Sequence, residues 1–236
     1  MNSSMSAVEI GQKHDRVAGV LASLTEKIVA GEYQGALPSE GELGSSLGVS
    51  RTVVREAMRI LRAQGLVEVS QGRTPRVAPP DSHATVASLR LLLRRNRATL
   101  LQLVEVRQPL EGETAAIAAE RANGEHLRQL ERAVHDLATA SKWDDRIEAD
   151  VRFHRILAEA TGNPVFVLLL ETLAEFMEAS RRKTMRYAGV DVALDGHRAI
   201  LDALVERDPV RARKAMNEHL ALAARHLQEL SERKQA

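Results

Sequence analysis

The sequence predicts a mainly α protein in two parts. An N-terminal winged helix-turn-helix spans residues 1–78, an all-α antiparallel helical bundle spans residues 88–236, and a linker at 79–87 joins them. Three observations predict this. Capping residues and glycines divide the first 65 residues into three helices. A short alternating stretch with a glycine turn follows them. Beyond Pro79 and Pro80 the only periodicity is that of helices.

The composition sets outer bounds. With 44 % hydrophobic and 28 % charged residues the chain falls among globular proteins. It has no cysteine, which excludes disulfides, thiolate metal sites and thiol nucleophiles. No apolar run reaches the roughly 18–20 residues of a membrane span. The N-terminus has no basic segment leading into an apolar one, so no signal peptide is expected and a cytoplasmic protein is.

The elements follow in order. Val17, Leu21, Leu24 and Ile28 recur at helical spacing between His14 and Ala30, and Gly31 ends the run. Pro38 stops the chain before a second helix, which Ser39 and Glu42 open as a capping box. Gly48 supplies a tight turn. Ser50 caps a third helix from Arg51 to about Gln64, closed by Gly65. Val54, Ala57, Met58 and Leu61 form its packing face. "LVEVS" and "PRV" then read as the two strands of a hairpin turning at Gly72.

Charge is unevenly placed. The whole chain carries only +1, yet residues 47–77 hold six arginines against two glutamates. Arg51, Arg55, Arg59 and Arg62 line one stripe of the third helix, with Thr52 beside them. A charge run alone is commonly a solvated face. Here it coincides with helix-turn-helix spacing and a following hairpin, the arrangement in which a helix enters the DNA major groove and reads bases with its first residues. Arginine can pair bidentately with guanine, and backbone N–H groups at a helix start can hold phosphates.

The stretch "LPSEGELGSSLGVSRTVVREAMRILRAQGLVEVSQGRTPRV" resembles the DNA-binding domain of GntR-type bacterial regulators over about residues 14–78. The resemblance implies DNA contacts from Ser50, Arg51, Thr52 and Arg55, and from Gln71, Gly72 and Arg73 on the wing. At Gly41 many members carry arginine, so one customary DNA contact is missing.

In the second part, helices are predicted at 83–95, 99–122, 124–140, 145–161, 164–187, 192–206 and 209–233. Breaks fall at Asn123-Gly124, at Gly162-Asn163-Pro164, at Gly189 and at Asp208-Pro209. Asp150 and His154 are spaced i, i+4 and share a helix face. With His197 and His219 on later helices, three imidazoles and a carboxylate would suit zinc or nickel. From spacing alone this signal is weak, because an Asp and a His at i, i+4 often coincide by chance and a lone helical histidine is usually a surface or capped residue. His226 lies two turns beyond His219, roughly 10 Å along the helix, too far to share one ion.

"LVEVRQPLEGETAAIAAERA", "ADVRFHRILAEATGNPVF" and "GHRAILDALVERDPVRARKAMNEHL" resemble the all-helical effector domain of FadR-type GntR regulators, the FCD domain, over about residues 88–233. The resemblance implies a divalent metal ion, zinc first, on Asp150, His154, His197 and His219. It also places Arg107 in an effector cavity, where the alternative is a surface arginine paired with Glu111. Arg181, Arg182 and Arg186 are further candidates for that cavity.

The function so implied is a homodimeric repressor that binds a near-palindromic operator in double-stranded DNA. A small carboxylate, a hydroxy acid or sugar acid, would control it from the metal site. Two alternatives stand beside it. One is a metal-dependent enzyme with a DNA-binding appendage, for which no separate general base is evident beside the four residues. The other is a metal-free regulator of a fatty acyl ligand, against which the complete Asp/His set argues.

Overall fold

The computed structural model describes residues 7–69, 74–79 and 83–233. The chain divides into two compact units, Met1–Ala87 and Ser88–Ala236.

The first unit has three helices, α1 (Ala7–Val29), α2 (Glu40–Leu47) and α3 (Arg51–Ala63), and two short strands, β1 (Val67–Glu68) and β2 (Arg76–Val77). Helix α1 begins several residues before the periodic apolar run that announces it. Helix α2 starts at the expected capping box: Ser39 N donates to Glu42 Oε2 at 2.8 Å, and Glu42 N donates to Ser39 Oγ at 3.3 Å. Gly48 closes α2 at φ +65, a left-handed conformation that side chains with a Cβ seldom adopt. Ser50 then caps α3 by accepting from Val53 N. Val53, Val54, Ala57, Met58 and Leu61 turn inward against Val17, Val20, Leu24 and Leu43. The strands pair antiparallel, Val67 opposite Val77 and Glu68 opposite Arg76. This is the winged helix-turn-helix that the sequence predicts.

Helix α4 (His83–Arg95) crosses the division between the units. The second unit continues with α5 (Leu100–Arg121), α6 (Gly124–Thr139), α7 (Trp143–Ala160), α8 (Pro164–Ala188), α9 (Val190–Val205) and α10 (Pro209–Glu232). The starts have local causes. Thr99 and Gln102 cap α5, Asn123 caps α6, Asn163 precedes the proline that opens α8, and Asp208 accepts from Arg211 N at the head of α10. Gly189, at φ +87, is the single residue separating α8 from α9. Helix α5 is continuous through Pro109.

The core of this unit is built from Phe153, Leu130, Leu137, Leu157, Ile200, Leu204, Met216 and Leu220, with an alanine stripe on α5 at Ala115, Ala118 and Ala119. Those alanines let α10 approach α5 closely, and the two helices share one of the most extensive packing surfaces of the unit. Burying a Leu or Phe side chain contributes about 1.5–3 kcal/mol, so this packing holds α7, α9 and α10 firmly around the polar residues between them. Among the described residues no helix is long and apolar enough to cross a membrane.

Candidate metal and effector site and the DNA-binding face

Asp150 and His154 point inward from α7, His197 from α9 and His219 from α10. Each offers one ligand atom, and these atoms all lie within 4.8 Å of one another. Asp150, His154 and His197 are buried; His219 is half-buried. His197 Nε2 lies 3.4 Å from Asp150 Oδ1. Phe153 stacks on the His197 ring, with centroids 4.0 Å apart and planes 9° from parallel, and so fixes its orientation. His226 is not in the group; its ring stands edge-on to Tyr187.

Glu111 supports this set and was not singled out by spacing. It projects from α5, and its Oε2 lies 2.6 Å from His154 Nδ1. That contact favours the proton on Nδ1 and leaves Nε2 as a lone-pair donor, the usual outer partner of a ligating imidazole. Its other oxygen pairs with Arg107 Nε. The i, i+4 relation of Arg107 to Glu111 was the available signal, but it reads equally well as a surface pair. In the structure both residues are buried, and Arg107 still lines the cavity. A carboxylate thus stands beside the four residues after all. Burial raises the Glu111 pKa, but the charge of Arg107 and the contact with His154 outweigh it and hold it well below the usual range, which makes it a poor general base.

Of the three later arginines only Arg181 enters the site, with Nε 3.1 Å from Asp150 Oδ2. Arg182 pairs with Asp144 and Glu178, and Arg186 lies over the Trp143 ring.

The electrostatics suit a cation. Burial alone would push the Asp150 carboxyl up, but Arg181 and the three imidazoles hold it down at about 2. Burial drives His197 well below its ordinary value. Burial, aided by His154, lowers His219 to about 4. The carboxylate is therefore ionised and these imidazoles neutral at pH 7, the states in which they bind metal. His154 Nε2 and both His197 nitrogens are buried without a hydrogen-bond partner among the described residues. Such groups are unfavourable unless a ligand takes them up, so the residues present fit a divalent ion.

Gly196 makes the arrangement possible. A Cβ there would lie 3.0 Å from Cγ of His219, inside normal contact. A glycine within a helix costs about 1 kcal/mol against alanine and hints at a packing reason, which here is room for this ring.

A small cavity of about 50 Å³ opens beside the four residues. Arg107, Asp150, His154, Arg181, Thr184, His219 and His226 form its polar wall; Met185, Val192, Ala193, Leu220 and Leu222 form much of the rest.

On the first unit, Ser50, Arg51, Thr52 and Arg55 are all exposed along the start of α3. Arg55 is held by Glu40, with Nη2 2.8 Å from Oε2. Arg59 pairs with Glu56. Arg51 lies over Gly41, its Nη2 only 3.0 Å from where a Cβ would stand, so the glycine gives its guanidinium room. Gln71, Gly72 and Arg73 lie outside the described residues.

Residues 16–77 match the bacterial regulatory proteins of the gntR family, and residues 102–222 match the FCD domain. The chain belongs to the GntR family of transcriptional regulators, in its FCD-domain branch. It is 32 % identical over 208 residues to the HTH-type transcriptional repressor NanR of Cronobacter sakazakii, covering 85 % of this chain and 80 % of that one. The NanR of Klebsiella aerogenes is 32 % identical, with coverages of 84 % and 79 %. Streptococcus agalactiae GntR has a solved structure that superposes with a TM-score of 0.72 at 28 % identity, covering 89 % of this chain and 99 % of that one. This regulator is a DNA-binding protein rather than an enzyme, and the NanR relatives are repressors.

Proposed function

We propose that this regulator is a homodimeric repressor that a small carboxylate metabolite releases from DNA. The observation that carries the reading is the set of buried Asp150, His154 and His197 with half-buried His219, beside a cavity walled by two guanidiniums. Those four residues would hold a divalent ion, zinc first, with nickel or another transition metal as alternatives. Bound there, the ion would supply an electrophilic position for a carboxylate oxygen. Arg107 offers the complementary fork for that carboxylate. Hydroxy acids and sugar acids are the class to test.

In the first unit, Ser50, Arg51, Thr52 and Arg55 contact base edges or phosphates from the start of the third helix, and Gln71, Gly72 and Arg73 contact DNA from the wing, where Arg73 can follow the backbone or enter the minor groove. A two-fold dimer binds a near-palindromic operator. The cytoplasm is the compartment in which such a protein meets both metabolite and chromosome. Effector binding need favour the DNA-incompetent state by only ~1–3 kcal/mol to change occupancy about 5–150-fold.

Fluorescence anisotropy of zinc-loaded protein on DNA flanking its own gene tests this. Tight, salt-sensitive and sequence-selective binding that one acid releases is the expected result. Selective binding indifferent to every acid, or unchanged when zinc is stripped, would overturn the effector half of the reading.

A further inference from the structure

Arg181 is the charged group that the site's own pairings leave unfinished. Its side chain is only 7 % exposed. Nε faces Asp150, while Nη1 is buried with no hydrogen-bond partner among the described residues. It lines the same small cavity as Arg107. Two guanidiniums beside one space disfavour each other unless an anion lies between them.

The charge balance points the same way. Arg107 is matched by Glu111 and Arg181 by Asp150, and imidazoles that bind metal do so neutral. The buried set is therefore balanced by itself, and a divalent ion leaves it with two positive charges in excess. Excess charge in a buried site is unfavourable until a counter-charge enters. A monocarboxylate cancels one. Asp150, once shared with an ion, is also a weaker partner for Arg181, whose fork is then available to a second anionic group.

Resting on the acid-sensor reading above, we infer that the effector is a small dicarboxylate, with one carboxylate toward the ion and Arg107 and the second held by Arg181. The cavity is small, about 50 Å³, and partly open. That favours a compact diacid over a bulky acid.

Calorimetric titration of the zinc-loaded full-length protein tests this with matched probes: lactate against malate, butyrate against succinate, and inorganic phosphate as a dianion of another shape. Zinc content is checked after each titration, because the diacids also chelate. In the unaltered protein each diacid should bind at least about tenfold more tightly than its monoacid. Arg181→Gln should lower diacid affinity by about tenfold or more and monoacid affinity by less than about threefold, while Arg181→Lys restores part of the preference. Equal affinity for the members of each pair would overturn the inference and leave the acid-sensor reading standing. So would a loss in Arg181→Gln that falls equally on both members, or phosphate binding more tightly than every diacid. Silence from every acid would overturn the sensor reading and this inference together. If Arg181→Gln fails to fold or to hold zinc, the matched pairs on the unaltered protein decide alone.

Discussion

Gly196 and His219 occupy one space: a Cβ on Gly196 would stand 3.0 Å from Cγ and 3.1 Å from Cβ of His219, and closer still to Nδ1. Helix α9 thus carries two residues for the site in succession, His197 as a candidate ligand and Gly196 as the gap through which α10 delivers another. Gly196→Ala should add helix propensity yet push the imidazole out of the cluster. The expected result is a zinc affinity about 10–100-fold weaker, by competition with a chromophoric chelator. It should add little in a His219→Ala background. An affinity equal to that of the unaltered protein would show that the ring can shift at no cost.

Glu111 joins His154 to Arg107, and all three are buried. Removing one member leaves an uncompensated charge in the interior. Glu111→Ala should therefore destabilise the metal-free protein by about 3–5 kcal/mol, read from urea midpoints at constant slope. It should also weaken zinc binding, because nothing then fixes the His154 tautomer. A loss below about 1 kcal/mol would mean that water replaces the carboxylate.

The stability of the metal-free protein should depend on pH in a direction that the burial of His197 and His219 sets. Both have folded pKa values below the ordinary 6.5, His219 at about 4. Between those values the unfolded chain binds more protons than the folded one, so stability falls as pH drops. The loss begins near pH 6.5 and, for His219, is complete below about 4. Asp150, held at about 2, adds a loss beginning near 3.8. Zinc should raise the thermal midpoint at pH 7.5, and its effect should fade as the pH falls, because protons compete for the same nitrogens. Thermal scans with zinc and with chelator across pH 4.5–7.5 check both trends, and a flat profile for the metal-free protein would contradict them.

Glu40 competes with DNA for Arg55, holding its Nε and Nη2. Glu40→Gln removes that competitor and a negative charge from the same face. DNA affinity should rise several-fold and its salt dependence steepen. Arg55→Ala should do the opposite, weakening binding and lowering the salt slope by about 1 if the contact is to phosphate. If it relaxes sequence preference instead, Arg55 reads a base. Anisotropy across a salt series separates these outcomes.

Much of this was legible in the residues. Ser39 with Glu42, Ser50, Gly48 and Gly65 mark the limits of α2 and α3 because caps and left-handed turns are local chemistry, decided within four residues. Asn123, Asn163 and Asp208 mark helix starts in the second unit for the same reason. The short strands were legible in place but not in length, because pairing depends on a partner across the turn.

Sequence by itself determined the order of helices, the basic face of α3 and the residue types able to hold a metal, since each follows from short-range periodicity and side-chain chemistry. Only the tertiary structure decided which of those residues meet. Asp150 and His219 are far apart along the chain, and what brings them together is the packing of α7, α9 and α10 around Phe153 and Leu220. The same packing chose Arg181 over Arg182 and Arg186, buried Glu111 against His154, and gave Gly196 its purpose. A helix's face is fixed by its own spacing, whereas what that face touches is fixed by neighbours that the spacing does not encode.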